Sequence, residues 1–364
     1  MHTKTYGFIG LGLIGGSIAR GLKRADHSIK IMAYMRTRSK LELALNDGTI
    51  DMILDEVNDS LRECDIIFLC TPVEYNASYL KKVRSYLKDG AILTDVGSTK
   101  TNIHKLVTEM NMEDIFVGGH PMAGSEKTGY ENSTDHLLEN AYYIITPTEK
   151  NTPAQIEQMR QIALSLRSIP LILDYHEHDF SVAAISHLPH LIASSLVKLV
   201  KDNDGEHEIM KQIAAGGFKD ITRIASSSPV MWEQICMTNT ENLKILMRRY
   251  IESLESIYED LESLNGNAIY QLFDESGKYR DSFSSRNRGP VLPDHSFSVD
   301  VVDEPGSIAI LSAILASRGI NVQNIGINHA RDYGEGALRI SFYSEETKTE
   351  ASELLKKYNY TLTR

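Results

Sequence analysis

The stretch Tyr6–Ala19, YGFIGLGLIGGSIA, sets Gly10, Gly12 and Gly15 in G-x-G-x-x-G spacing between an apolar run and a helical pattern. In that context the spacing calls for a strand, a tight turn and a helix. The first glycine permits the turn, the second lets backbone approach a pyrophosphate, and the third allows close helix–strand packing. The helix start then offers free N–H groups and a positive dipole end to phosphates. A glycine-rich turn without a ligand is the alternative, and a position at the head of a βαβ series speaks against it. The expected dinucleotide contacts are Gly10, Gly12, Leu13, Ile14, Gly15, Arg36 and Thr71.

Apolar runs at Tyr6–Ile9, Ile29–Tyr34, Ile66–Cys70, Ala91–Asp95, Ile115–Val117 and Tyr142–Ile145 alternate with helical stretches. They predict a Rossmann-like α/β domain with a parallel sheet over residues 1–150. Long amphipathic segments follow, Val182–Lys201, Met231–Tyr250 and Ile251–Leu264, and predict an all-α dimerisation and substrate domain over 151–277. Residues 278–294, KYRDSFSSRNRGPVLPD, carry no periodicity and read as a linker. Residues 295–364 read as a small β-α-β-β-α-β module, with a first helix ending on Gly319. A chain of 364 residues is too long for one ordinary core, which agrees with several domains.

Hydrophobic residues make up 42% and charged residues 24%, with a mean hydropathy of -0.24, as in soluble globular chains. The net charge of -11 argues against a nucleic-acid partner, since nothing in bulk would neutralise phosphates. No apolar run reaches the ~20 residues that span a bilayer, so no membrane partner is expected. The N-terminus runs straight into a strand pattern without a cleavage region. Three cysteines, Cys64, Cys70 and Cys236, show no metal spacing, which fits a reduced cytoplasm.

The second strand ends IMAYMRTRSK, with Met35 where an acid would bind the ribose hydroxyls of NAD. The missing acid and the adjacent Arg36 and Arg38 weakly favour a 2′-phosphate, hence NADP over NAD. Solvated arginines beside bound NAD are the alternative.

Four further stretches stand out: DVGSTK (Asp95–Lys100), GGHPMAGSEKTG (Gly118–Gly129), SHLPHLIASSLV (Ser186–Val197) and GGFKDITRIASSSPVMW (Gly216–Trp232). With the glycine turn they resemble the prephenate dehydrogenase family of tyrosine biosynthesis, over the whole chain. The closing module resembles an ACT domain, an amino-acid-sensing fold. The resemblance implies oxidative decarboxylation of prephenate to 4-hydroxyphenylpyruvate, with hydride transfer to NAD(P), in a cytoplasmic homodimer.

That chemistry needs a base for the C4 hydroxyl, a hydride acceptor, cations for the carboxylates, and a carboxylate free to leave as carbon dioxide. His120 is the base candidate, because histidine ionises nearest neutrality. The family match gives it that role and gives Ser98 a hydrogen bond to the same hydroxyl. Lys219 and Arg223 are four apart and share a face if helical. By resemblance Arg223 grips a substrate carboxylate and Lys219 assists. Ser125 and His190 are substrate-contact candidates, and Glu126 is a candidate partner for an active-site cation. His187 reads as a packed histidine, and Trp232 as core before active site. His176, His178, His187 and His190 lack the Cys or carboxylate that would complete a metal set, so no metal is expected.

In the closing module, Asp303, Gly306 and Asn321 are the effector-site candidates implied by ACT domains, with Ser307 a possible helix cap and tyrosine the expected effector. Arogenate dehydrogenase, with an amino in place of a keto side chain, is the nearest alternative. A non-catalytic sensing protein would not carry Ser98, His120, Lys219 and Arg223 together. A β-hydroxyacid dehydrogenase would need a lysine base in the helical region and does not predict HPMAGSE.

Overall fold

A computed structural model describes residues 3–363 except 125–126, 287–294, 303 and 329–334. Ser125, Glu126, Asp303 and the second half of the expected linker therefore lie outside the described residues. The chain divides into two compact units, Met1–Ile269 and Tyr270–Arg364.

The first unit opens on five parallel strands: β1 (Thr5–Ile9), β2 (Lys30–Tyr34), β3 (Met52–Leu54), β4 (Ile66–Leu69) and β5 (Ile92–Asp95). Their order is β3-β2-β1-β4-β5, so the sequence direction reverses between β1 and β4. In open α/β sheets that reversal opens the crevice where ligands bind, beyond the carboxyl ends of the strands. Strands β1 and β4 are buried throughout, as a sheet covered on both faces requires. Their side chains alternate between two cores. Phe8, Ile66 and Phe68 join Ile18, Leu22 and Ile31 on one face. Ile9, Ile67 and Leu69 join Leu80, Val83 and Ile103 on the other.

A second sheet holds β6 (Val117–Pro121), β7 (Tyr142–Pro147) and β8 (Ile169–Ile172), with β6 and β7 antiparallel. It continues from β5 through a parallel bridge between Leu93 and Phe116. Strands β3 and β8 escape the sequence reading because three and four residues, MIL and IPLI, are too short to show a strand period. Strand β6 also runs later than the expected Ile115–Val117, so His120 is a strand residue rather than one that follows a strand. The two glycines hide this strand from any apolar pattern, and both are required by packing. A Cβ on Gly118 would meet Thr146 Oγ1 at 2.2 Å, and one on Gly119 would meet the Asp95 carbonyl at 2.8 Å.

The helical region begins with Tyr175–Val182, a π-turn at Ala183–His187, and Leu188–Asn203. By length and composition alone the continuous helical stretch Tyr175–Asn203, which contains one 18-residue apolar window, could cross a membrane; 28% of that window is buried inside the protein. The later helices are Pro229–Thr238, Thr240–Glu262 and Gly266–Arg286. The break falls at Asn239, not between Tyr250 and Ile251. Residues 278–286 are helical, not linker. Their i, i+4 contacts account for it: Lys278 pairs with Asp274 at 2.6 Å, and the Tyr279 and Phe283 rings meet edge-on at 5.0 Å.

The second unit contains β9 (Ser296–Val302), helix Ser307–Ala316, β10 (Val322–Asn328), β11 (Glu335–Phe342), helix Glu345–Lys357 and β12 (Leu362–Thr363). The strands pair antiparallel in the order β10-β11-β9-β12, a split βαβ arrangement. Its core is Phe297, Val299, Leu311, Leu315, Leu338, Ile340, Phe342 and Leu355. Gly319 (φ 68°) follows the first helix in the left-handed conformation. The cap of that helix is Gly306 (φ 99°), with no side-chain hydrogen bond, so Ser307 does not cap it.

Candidate active site

The glycine turn assigns a different task to each glycine. A Cβ on Gly10 (φ +93°) would lie 2.7 Å from the Cys70 carbonyl, and one on Gly15 would lie 2.8 Å from the Gly10 carbonyl. A Cβ on Gly12 would meet nothing within 4 Å, and Gly12 is the N-cap of helix Leu13–Ala25. Two glycines are thus demanded by the protein's own packing, and the third leaves open space at a helix N-terminus. Leu13 and Ile14 start that helix half-buried. Across the crevice, beyond β4, the Thr71 hydroxyl is buried without a hydrogen-bond partner. Buried hydroxyls are ordinarily satisfied, and an orphaned one at this edge is compatible with a polar ligand. The cradle fits a dinucleotide.

At the end of β2, Met35 packs against the core. Arg38 pairs with Asp55 and Glu42. Arg36 is exposed, with its guanidinium 4.8 Å from the centre of the Tyr75 ring.

His120, near the C-terminal end of β6, is 8% exposed. Its Nδ1 lies 2.8 Å from His178 Nε2, and His178 Nδ1 lies 2.8 Å from Asp179 Oδ1. His178 and Asp179 are fully buried on helix Tyr175–Val182. Asp179 also accepts the backbone N–H groups of Lys100 and Thr101, each at 2.8 Å, at the start of helix Thr101–Glu109. Burial alone would raise the Asp179 carboxyl, but hydrogen bonds from His178, Thr101 and Lys100 bring it below the ordinary value. An ionised Asp179 can only accept, so His178 carries a proton on Nδ1 and, as a neutral ring, accepts on Nε2. His120 must then donate through Nδ1, which leaves Nε2 as a bare lone pair. Burial, followed by His178, Lys100 and His187, holds His120 well below the ordinary histidine value, with Asp179 opposing. The ring is therefore neutral at neutral pH and equipped to take a proton.

Ser98 lies in the loop after β5, half-buried. His187 is buried against the Asn239 side chain at 3.2 Å, and burial lowers it to about 4. His190 stacks on Trp232 with ring centres 3.6 Å apart. Burial lowers His190 also, offset by a hydrogen bond to the Ile224 backbone and reinforced by the nearby Arg223 charge. Trp232 thus packs on two histidines rather than in a core, and its indole N–H is buried without a partner. Lys219 is on helix Gly216–Thr222 and Arg223 in the turn after it, both exposed. Among the described residues no three His, Cys, Asp or Glu side chains form a metal-holding group.

The structure thus gathers His120 with His178 and Asp179, and His190 with Arg223 and Trp232. Sequence spacing does not reveal the relay. The only signal was the adjacent His178–Asp179 pair, which lies 58 residues from His120.

A dinucleotide crevice beside a buried histidine relay, followed by a helical region, defines a nicotinamide-dependent dehydrogenase architecture. The family model for the prephenate dehydrogenase nucleotide-binding domain matches residues 18–168, and that for the prephenate dehydrogenase dimerization domain matches residues 174–275. Prephenate dehydrogenase of Bacillus subtilis is 34% identical over 349 residues, covering 95% of this chain and 94% of its own. The chain belongs to the prephenate dehydrogenase family. Among solved structures, prephenate dehydrogenase from A. aeolicus in complex with hydroxyphenyl propionate and NAD+ superposes with a TM-score of 0.73 at 29% identity, covering 78% of this chain and 99% of its own. Synechocystis arogenate dehydrogenase gives 0.70 at 29% identity, covering 77% and 99%.

Proposed function

We propose that this chain oxidatively decarboxylates prephenate to 4-hydroxyphenylpyruvate, a step of tyrosine synthesis. The observation that carries the reading is the His120–His178–Asp179 relay, which leaves a bare Nε2 at the ligand-binding edge of the sheet. His120 takes the proton of the C4 hydroxyl, and Ser98 hydrogen-bonds the same oxygen. A bound nicotinamide supplies the acceptor for the C4 hydride. Gly10, Gly12, Leu13, Ile14, Gly15 and Thr71 would hold the dinucleotide, and Arg36 is our choice of partner for a 2′-phosphate, since Arg38 is engaged by carboxylates. Arg223 and Lys219 hold substrate carboxylates, with His190 beside them. The ring carboxylate departs as carbon dioxide as the ring becomes aromatic. Purified protein assayed with prephenate or arogenate, each with NAD or NADP, tests the reading. Prephenate turnover with usable NADP is expected. Absence of turnover in all four combinations overturns it, and faster arogenate turnover moves the assignment to the amino substrate.

Arg223→Ala should raise KM for prephenate about 10–10²-fold, the reach of a charge-assisted hydrogen bond, with a smaller change in kcat. An unchanged KM with a lower Tm would make Arg223 structural.

The helical region serves as a dimerisation domain. Exposed apolar side chains, among them Leu199, Ile221, Met237 and Leu254, support that role. Its working compartment is the cytoplasm. The closing module is read as ACT-like, with tyrosine bound near Gly306 and Asn321. Tyrosine should inhibit the full chain and leave a chain ending at Asp294 unaffected but active. Inhibition that survives the truncation would place tyrosine in the catalytic pocket.

A further inference from the structure

We infer that the buried ion pair between Lys100 and Asp95 is a positioning clamp that sets His120 and Ser98 against each other. The inference rests on the reading of His120 as the base. Lys100 is 0% and Asp95 1% exposed, a burial that charges almost never reach unless paired. Lys100 Nζ donates to Asp95 Oδ2 and, at 2.7 Å, to the carbonyl of Gly119. Asp95 Oδ1 accepts the N–H of the same Gly119 at 3.2 Å, and Oδ2 accepts the N–H of Gly97 at 2.9 Å. Gly119 directly precedes His120, and Gly97 directly precedes Ser98. One pair of charges therefore holds both backbone groups of the residue before His120 and the amide before Ser98.

A buried ion pair is a poor device for stability, because desolvation offsets most of the Coulomb gain. Its use here is geometric. The pair ties the Gly97 end of the loop after β5 to Gly119 on β6, and a displacement of about 1 Å at such a site costs on the order of 10²-fold in rate. The ammonium also faces the base. The charged and titratable groups around His120 are Lys100 before helix Thr101–Glu109, Asp95 on β5, His178 and Asp179 on helix Tyr175–Val182, and His187 in the π-turn. Lys100 is the one lysine or arginine among them; burial lowers its ammonium from the ordinary value with Asp95 opposing, and its charge opposes protonation of His120.

The test compares Asp95→Asn/Lys100→Met, a neutral pair of similar shape, with wild type and with His120→Asn. The readouts are kcat and KM for prephenate, NAD affinity by fluorescence quenching, Tm, and the pH profile of kcat/KM. The double variant should bind NAD within about threefold and keep KM for prephenate within about threefold, while kcat falls about 10–10²-fold. In Lys100→Gln, which removes the cation and leaves Asp95, the acidic limb of kcat/KM should move to higher pH, because His120 becomes easier to protonate. A wild-type kcat in the double variant with a wild-type acidic limb in Lys100→Gln overturns the clamp, as does a fall in Tm alone. If the double variant does not fold, Lys100→Gln, which keeps a donor but no charge, decides by the same two readouts. His120→Asn separates the two readings. Wild-type turnover in that variant removes the base assignment. An inactive His120→Asn beside a fully active double variant removes the clamp alone.

Discussion

Replacing His120 with Asn should lower kcat about 10²–10⁴-fold and leave NAD affinity nearly unchanged, since general base catalysis contributes on that scale. Asn keeps a donor for His178 Nε2 but presents no basic nitrogen to the substrate. NAD affinity is the control, because the dinucleotide cradle is built from β1, β4 and the first helix, not from β6. The pH profile adds a signed expectation. Burial and the neighbouring His178, Lys100 and His187 depress His120, so it stays unprotonated below the ordinary histidine range. In the wild type, kcat/KM should therefore hold as pH falls through that range and drop only further down. A kcat of His120→Asn within a few-fold of wild type would remove this residue from the mechanism.

Asp179→Asn should cost about 10²–10⁴-fold in kcat through the tautomer of a residue two hydrogen bonds away, as a misdirected imidazole does in hydrolase triads. Asp179 offers acceptors to three donors: His178 Nδ1–H and the amides of Lys100 and Thr101. Asn supplies one oxygen and one NH₂. With the NH₂ toward His178, that ring must accept on Nδ1 and donate from Nε2. His120 then accepts on Nδ1 and carries its proton on Nε2, where the base is needed. With the NH₂ turned toward Thr101, the amide there loses its acceptor, at about 1–3 kcal/mol in stability. Either orientation is measurable, as lost turnover or as lowered Tm. Wild-type values of both would refute the relay.

These two predictions differ in how far the sequence alone suggests them. The glycine turn is legible because its three tasks fall within six consecutive positions, Gly10–Gly15. His120 stands out through the residues around it, although the strand containing it does not: GGHP has no apolar alternation, and its glycines are dictated by Thr146 and Asp95 on other strands. His178 is invisible as a partner because only tertiary packing brings Tyr175–Val182 against β6. Lys100 closes the DVGSTK stretch with no role of its own until its burial is known. The helix break at Asn239 is likewise a tertiary effect. Its amide donates to the Asp179 carbonyl at 2.7 Å and meets the His187 ring. Amphipathic periodicity runs on through such a residue unmarked. The Lys278–Arg286 turns were obscured by serines and arginines whose composition resembles a linker.

Asp179 and Asn239 have a bearing on how this unit comes apart. Asp179 caps helix Thr101–Glu109 from the helical region, and Asn239 ties Asp179 to the Pro229–Thr238 and Thr240–Glu262 helices. Thr99 and Thr238 add a further link at 3.0 Å. Separating the sheet from the helices would leave buried amides and a buried carboxylate unsatisfied in the same step. The two regions should therefore unfold as one cooperative transition. Enzymatic activity and secondary structure should then disappear at the same denaturant concentration, with no species that keeps a folded dinucleotide cradle beside melted helices.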